Sequence, residues 1–138
     1  MSFPAPVDEP IRVRYAETDA QGIVYHANHV VYFEVGRGAF LRAQNFDYNA
    51  FEAGGHVMVV AELTVKYKAP ARYDDELIVR TELAELGWTS LVFSYTLLKG
   101  DVIIAVGRSV HVCLDRQGRP VAIPPDLRAA VEEPTRVS

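Results

Sequence analysis

The segment from Ala27 to Ala43 is apolar around most of its circumference, and it precedes a run of long alternating segments from His56 to Leu114. Val30, Phe33, Ala39 and Phe40 make one stripe at helical spacing, while Val31, Tyr32, Val35 and Leu41 extend the apolar cover. Only Glu34, Arg37 and Arg42 are charged. A helix with so little polar surface is expected to be wrapped by other structure. Gly36 and Gly38 each cost such a helix about 1 kcal/mol relative to Ala. Close approach of another backbone is the expected reason for them.

The rest of the chain supplies the wrapping. Residues 1–10 carry three prolines and read as a loose arm. Ile11, Val13 and Tyr15 then alternate with Arg12 and Arg14, predicting a first strand over 11–15. A short turn over 48–53 ends at Gly54-Gly55. Val59, Ala61, Leu63, Val65 and Tyr67 make one side of a half-buried strand, and further strands follow over 76–86, 89–99 and 102–114. A short amphipathic tail follows Pro124 around Leu127 and Val131. This order predicts a single α+β domain over 11–138, an antiparallel sheet curled around one long helix. The 102–114 strand is apolar on both faces, with Val102, Ile104, Val106, Val110 and Val112 against Ile103, Ala105 and Cys113. No second long helix exists to cover the outer face, so a homo-oligomer is expected.

Composition removes several classes of function. A chain of 138 residues suits one domain, and a net charge of −4, with no cluster of Lys and Arg, argues against a nucleic-acid surface. No apolar run approaches the ~20 residues of a membrane span, and the first ten residues lack the features of a signal peptide. The lone Cys113 cannot form an internal disulfide, which fits a reducing cytoplasm. Neither a glycine-rich nucleotide loop nor a serine-hydrolase elbow is present, so no cofactor is expected.

Chemistry concentrates in Tyr15–His29, which joins the first strand to the start of the helix. A helix N-terminus offers unpaired N–H groups and a positive dipole end to a carbonyl or anion. Asp19 precedes His26 by seven residues (26 − 19), with Gly22 between them to let the backbone fold back. A carboxylate facing an oxyanion site is the minimum equipment for attack on an activated acyl group. The same spacing also suits a plain turn, with Asp19 accepting hydrogen bonds from its own loop and His26 packing at the helix start.

The run Asp19-Ala-Gln-Gly22-Ile23-Val24-Tyr25-His26-Ala27-Asn28, with Tyr15 before it and Tyr32-Phe33-Glu34 after it, resembles the signature of the hotdog-fold acyl-CoA thioesterases. The similarity is to the 4-hydroxybenzoyl-CoA thioesterase-like group, and within it to the bacterial Tol–Pal-associated acyl-CoA thioesterases. Leu63–Tyr67, Ala69–Asp75 and Thr89–Phe93 also resemble that group, so the likeness spans roughly residues 11–125. It implies a hotdog dimer, often paired into a tetramer, with active sites at the dimer interface. It places the essential carboxylate on Asp19 and the polarising backbone N–H on His26, whose side chain assists in the Tol–Pal-associated branch. The aromatic thioesterase has Tyr at that position, so His26 favours the acyl-CoA branch.

The implied reaction is hydrolysis of a thioester of CoA or acyl carrier protein. Asp19 would attack the carbonyl or deprotonate a water. Tyr25, Lys66, Thr89 and Ser90 are candidate substrate contacts, with Lys68 and Arg72 beside Lys66 as further cations for CoA phosphates and Trp88 as a stacking surface for adenine. The aromatic thioesterase carries basic residues where Trp88 and Thr89 stand, so the phosphate anchors depart from its pattern. Glu17 either tunes Asp19 by proximity or is a solvated charge, and Tyr15 either orients the Asp19 loop or packs. The His26, His29 and Glu34 spacing matches no strong zinc pattern, so no metal is expected. His56 and His111 read as structural, and Cys113 as a buried small hydrophobe. A non-catalytic acyl-thioester-binding module and a 3-hydroxyacyl thioester dehydratase are the competing readings.

Overall fold

The computed structural model describes residues 3–132. Its elements run β1 (Val7–Arg12), α1 (Asn28–Ala43), α2 (Tyr48–Ala53), β2 (Val57–Tyr67), β3 (Glu76–Leu86), β4 (Ser90–Lys99), β5 (Val102–Leu114) and α3 (Pro125–Val131). The strands form one antiparallel five-stranded sheet in the order β1-β3-β4-β5-β2. This is the α+β arrangement that the sequence predicts. Positions 133–138 of the expected domain lie outside the described residues. No helix among the described residues is long and apolar enough to cross a membrane.

The first strand is misplaced by the sequence reading. It starts at Val7 rather than Ile11 and ends at Arg12, so residues 7–10 belong to the sheet and not to a loose arm. Pro10 is tolerated because β1 is an edge strand whose outward amide needs no partner. Arg80 holds Asp8 through its Nε at 2.8 Å, and Arg12 reaches Glu76 at 2.9 Å, pinning β1 to β3. Tyr15–Glu17 is a short 3-10 turn.

Helix α1 packs on β1, β3 and β4. His29, Tyr32, Phe33, Gly36, Ala39 and Phe40 are buried, and the Phe33 ring stacks on Tyr95 with centroids 4.5 Å apart. The helix is not wrapped all round within one chain: Val31 is 46% exposed and Val35 40%. Strand β2 departs from expectation in the same way. It is an edge strand with little direct contact to α1, and Val59, Leu63 and Tyr67 stand exposed instead of half-buried. The apolar surface expected to need a second cover thus lies on α1 and β2, and at the start of β5 on Val102 and Ile103.

Candidate active site

The loop between β1 and α1 is built around a carboxylate that the sequence reading undervalued. Glu17 keeps only 12% of its side chain exposed. Its Oε1 accepts hydrogen bonds from the Arg14 amide and the Tyr32 hydroxyl, both at 2.8 Å, and its Oε2 accepts from Arg14 Nε at 3.0 Å. Burial pushes the Glu17 carboxyl up, but the donors from Arg14 and Tyr32 outweigh it and hold it below the usual carboxylate value. The Glu17 carbonyl accepts from the Tyr25 amide and from Asn28 Nδ2, each at 2.9 Å. One residue therefore ties the end of β1 to the start of α1, and it is not a solvated charge. Burial and the Glu17 contact together push the Tyr32 phenol upward.

The segment carrying Asp19 is a closed turn set on this base. Thr18 bridges to Val24, the Asp19 amide donates to the Ile23 carbonyl at 2.9 Å, and the Gly22 amide donates back to the Asp19 carbonyl at 2.9 Å. Gly22 sits at φ +79°, where only glycine is unstrained. The Asp19 side chain takes part: its Oδ1 accepts the Gln21 amide at 2.9 Å, while Oδ2 has no partner among the described residues. Asp19 is therefore a turn-former with one carboxylate oxygen left over. Val24 is buried and donates its amide to Ala71 at 2.8 Å, which fixes the turn against the segment between β2 and β3.

The start of α1 is anchored through the His26 carbonyl. It accepts the Tyr67 hydroxyl at 2.7 Å and His29 Nδ1–H at 3.0 Å. Tyr67 also meets the buried His29 ring edge-on at 4.8 Å. Burial depresses the basicity of His29, against the pull of the carbonyls it faces. These contacts hold the His26–Ala27 peptide, while the His26 amide, in the preceding peptide, makes no backbone hydrogen bond among the described residues. No side chain caps α1. The His26 and Tyr25 rings lie 4.4 Å apart, both exposed.

The candidate residues do not all meet. Asp19, Tyr25 and His26 share the loop, but Thr89 and Ser90 stand past the opposite end of β3, whose 11 residues extend about 35 Å at a strand's rise per residue. There the Thr89 carbonyl accepts the Cys113 amide and the Ser90 carbonyl accepts the Gly87 amide. Lys66 is exposed on β2 and, by strand alternation, points to the face opposite Tyr67 and the His26 contact. Trp88 is 72% exposed, with the Arg128 guanidinium 5.5 Å from its ring centre. The Tyr15 ring is exposed and packs edge-on against Tyr73, while its carbonyl accepts the Thr18 amide and hydroxyl. His56 stacks on Phe51, and Cys113 is fully buried.

Sequence reasoning missed Glu17, Tyr32 and Tyr67 as builders of the site. The available signal was a glutamate followed 15 residues later (32 − 17) by a tyrosine on the inward stripe of the helix.

Comparison with known proteins identifies the family. Residues 13–131 match the family described as the thioesterase-like superfamily. The acyl-CoA thioester hydrolase YbgC of Escherichia coli is 36% identical over 126 residues, 90% of this chain and 94% of that protein. The acyl-CoA thioesterase YbgC of Haemophilus influenzae is 34% identical over 123 residues, 88% of this chain and 90% of that one. Among solved structures, a DHNA-CoA thioesterase from Staphylococcus aureus superposes with a TM-score of 0.88 at 26% identity, covering 92% of this chain and 89% of that one. The protein belongs to the thioesterase-like superfamily, among its hotdog-fold acyl-CoA thioesterases.

Proposed function

We propose that the chain hydrolyses acyl-CoA thioesters to a free acid and CoA, with Asp19 as nucleophile or general base and the His26 amide polarising the carbonyl. The observation that carries this reading is the shared loop. A carboxylate with one uncommitted oxygen and a helix-start amide without a backbone acceptor stand on one frame braced by Glu17. The relatives named as acyl-CoA thioester hydrolases support CoA as the thiol carrier.

In the nucleophilic route, the free Asp19 oxygen attacks the thioester carbon and the carbonyl electrons move onto oxygen, where the His26 N–H stabilises them. Collapse expels the CoA thiolate and leaves a mixed anhydride on Asp19. Water cleaves the anhydride and restores the carboxylate. In the general-base route, Asp19 takes a proton from water as the hydroxide adds, and that proton passes to the departing thiolate. A thiolate leaves readily, so neither route requires a strong acid beside the sulfur. CoA enters as substrate, and no cofactor takes part. Acyl carrier protein is an alternative thiol carrier, because the phosphopantetheine thioester is the same group.

The complete site in this reading is an assembly of two copies, one site per Asp19 loop with Thr89 and Ser90 arriving from a second chain. The separation of these residues along β3 supports this, as does the exposed apolar surface of β2 and α1. Pairing of such dimers gives the tetramer that the resemblance implies. The buried lone Cys113 supports a reducing, cytoplasmic setting.

Free-thiol release from a panel of acyl-CoA and acyl-carrier-protein thioesters tests the reaction. Turnover with release of acid and thiol is expected. Binding without release would make the chain a non-catalytic acyl-thioester-binding module, and appearance of an enoyl thioester would make it a dehydratase.

A further inference from the structure

A cavity of about 950 Å³ runs along α1, between the helix and residues of β2, β4 and β5. Val31, Val35, Met58, Val60 and Phe93 give it mostly apolar walls. Its upper end, at Val31, lies three residues past the start of α1 at Asn28, about one helical turn. An acyl chain whose carbonyl sits at the helix N-terminus would extend into this space.

Arg37 and His111 both line the cavity, and a directional hydrogen-bond chain through Tyr95 and Ser109 behind the wall joins them. Arg37 Nη1 donates to the Tyr95 hydroxyl at 3.0 Å, Tyr95 Oη lies 2.6 Å from Ser109 Oγ, and Ser109 Oγ lies 2.7 Å from His111 Nε2. Tyr95, Ser109 and His111 are each at most 2% exposed. A guanidinium can only donate, so the Tyr95 oxygen accepts and its proton goes to Ser109. The reverse order would leave the buried Tyr95 proton without an acceptor. Ser109 in turn donates to His111 Nε2, which is therefore the unprotonated nitrogen. Burial, with the Arg37 charge nearby, pushes the imidazole down to about 4, so the ring is neutral at pH 7. Its proton then resides on Nδ1, which has no partner among the described residues, while His111 lines the cavity.

We propose that the cavity receives the acyl group and that His111 Nδ1–H, oriented by Arg37, Tyr95 and Ser109, selects acyl groups carrying an oxygen acceptor remote from the thioester carbonyl. The proposal rests on the thioesterase reading for its substrate. Arg37 lies nine residues beyond Asn28, about 13 Å along the helix axis, so the oxygen is well separated from the reacting carbon. An unsubstituted alkyl chain would desolvate the Nδ1–H without giving it a partner, a loss of about tenfold in selectivity.

The test is the kcat/KM ratio of ω-hydroxyacyl-CoA to unsubstituted acyl-CoA over a matched series of increasing chain length. The wild-type ratio is expected to peak near tenfold at one length and to fall to unity or below in His111→Phe. A flat wild-type ratio, or a peak that His111→Phe retains, overturns the proposal. Nitrogen NMR of the wild-type histidines supplies a readout that needs neither a variant nor hydrolysis. The free protein is expected to hold His111 as the Nδ1–H tautomer, with Nδ1 perturbed by an ω-hydroxy fatty acid and not by the plain acid of equal length. An Nε2–H tautomer, or equal response to both acids, contradicts the proposal. Absence of thiol release from every thioester would instead refute the thioesterase reading, and the NMR comparison distinguishes the two failures.

Discussion

At the scale of single residues, Glu17 braces the loop that carries Asp19. Glu17 carries charge-assisted hydrogen bonds from Arg14 and Tyr32 in a mostly buried position. Glu17→Gln keeps one acceptor oxygen and loses the charge, so a destabilisation of about 1–3 kcal/mol is expected in urea titrations. Its carboxyl is held below its ordinary value of 4.5 in the folded chain. The folded state therefore binds the proton less readily than the unfolded state. The stabilisation is complete above that unfolded value and is lost as pH falls through the lower folded value. The difference in stability between wild type and Glu17→Gln should accordingly shrink when titrations move from neutral pH to the acid side of 4.5. A gap that widens there would contradict this assignment.

The Asp19–His26 spacing was legible because a short loop into a helix constrains where both groups sit. Glu17 was not, because its partner Tyr32 lies on another element and only the folded chain brings the two together. The turn that Asp19 forms through the Gln21 amide was also a legible alternative, and it coexists with an uncommitted oxygen on the same carboxylate.

At the scale of elements, the paired glycines of α1 separate into different roles. A methyl at Gly36 would meet Thr81 Oγ1 and would lie 2.8 Å from Val79 Cγ2, both on β3. Close approach is thus real at Gly36, although side chains rather than a backbone form the contact. Gly38 faces the cavity, where an added methyl meets only the flexible end of Arg42, at 3.2 Å. Thermal melts should therefore move in opposite directions. Gly36→Ala is expected to destabilise by about 1–3 kcal/mol through overpacking, and Gly38→Ala to stabilise by up to about 1 kcal/mol through helix propensity. Equal shifts of one sign would show that α1 does not sit on β3 as described.

Periodicity made α1, β3 and β5 readable to within a residue at either end, since long stripes average out local exceptions. It failed at β1, where Pro10 suggested a break but an edge strand accommodates it. It also misjudged β2, because alternation records which residues prefer burial and not whether the same chain supplies the cover.

At the scale of the whole molecule, Asp19 and Ser90 mark opposite ends of β3, so one chain does not bring them together. If each site takes its loop from one copy and its Thr89–Ser90 end from another, two defective variants should complement. Asp19→Asn mixed with Ser90→Trp, unfolded and refolded together, is expected to recover thiol release that neither shows alone. The hybrid contains one site with both lesions and one with neither. Recovery no greater than the sum of the separate variants would mean that Ser90 and Asp19 belong to unrelated surfaces.

Asp19→Asn removes the group proposed to perform the chemistry. The amide keeps an oxygen that can accept the Gln21 N–H, so the turn should persist, and circular dichroism with a thermal melt verifies the fold. The steady-state rate of thiol release from the best acyl-CoA substrate is then expected to fall by at least about 100-fold, the scale of removing a group that acts in proton transfer at the reacting centre. A folded Asp19→Asn protein that releases thiol at close to the wild-type rate would contradict the account.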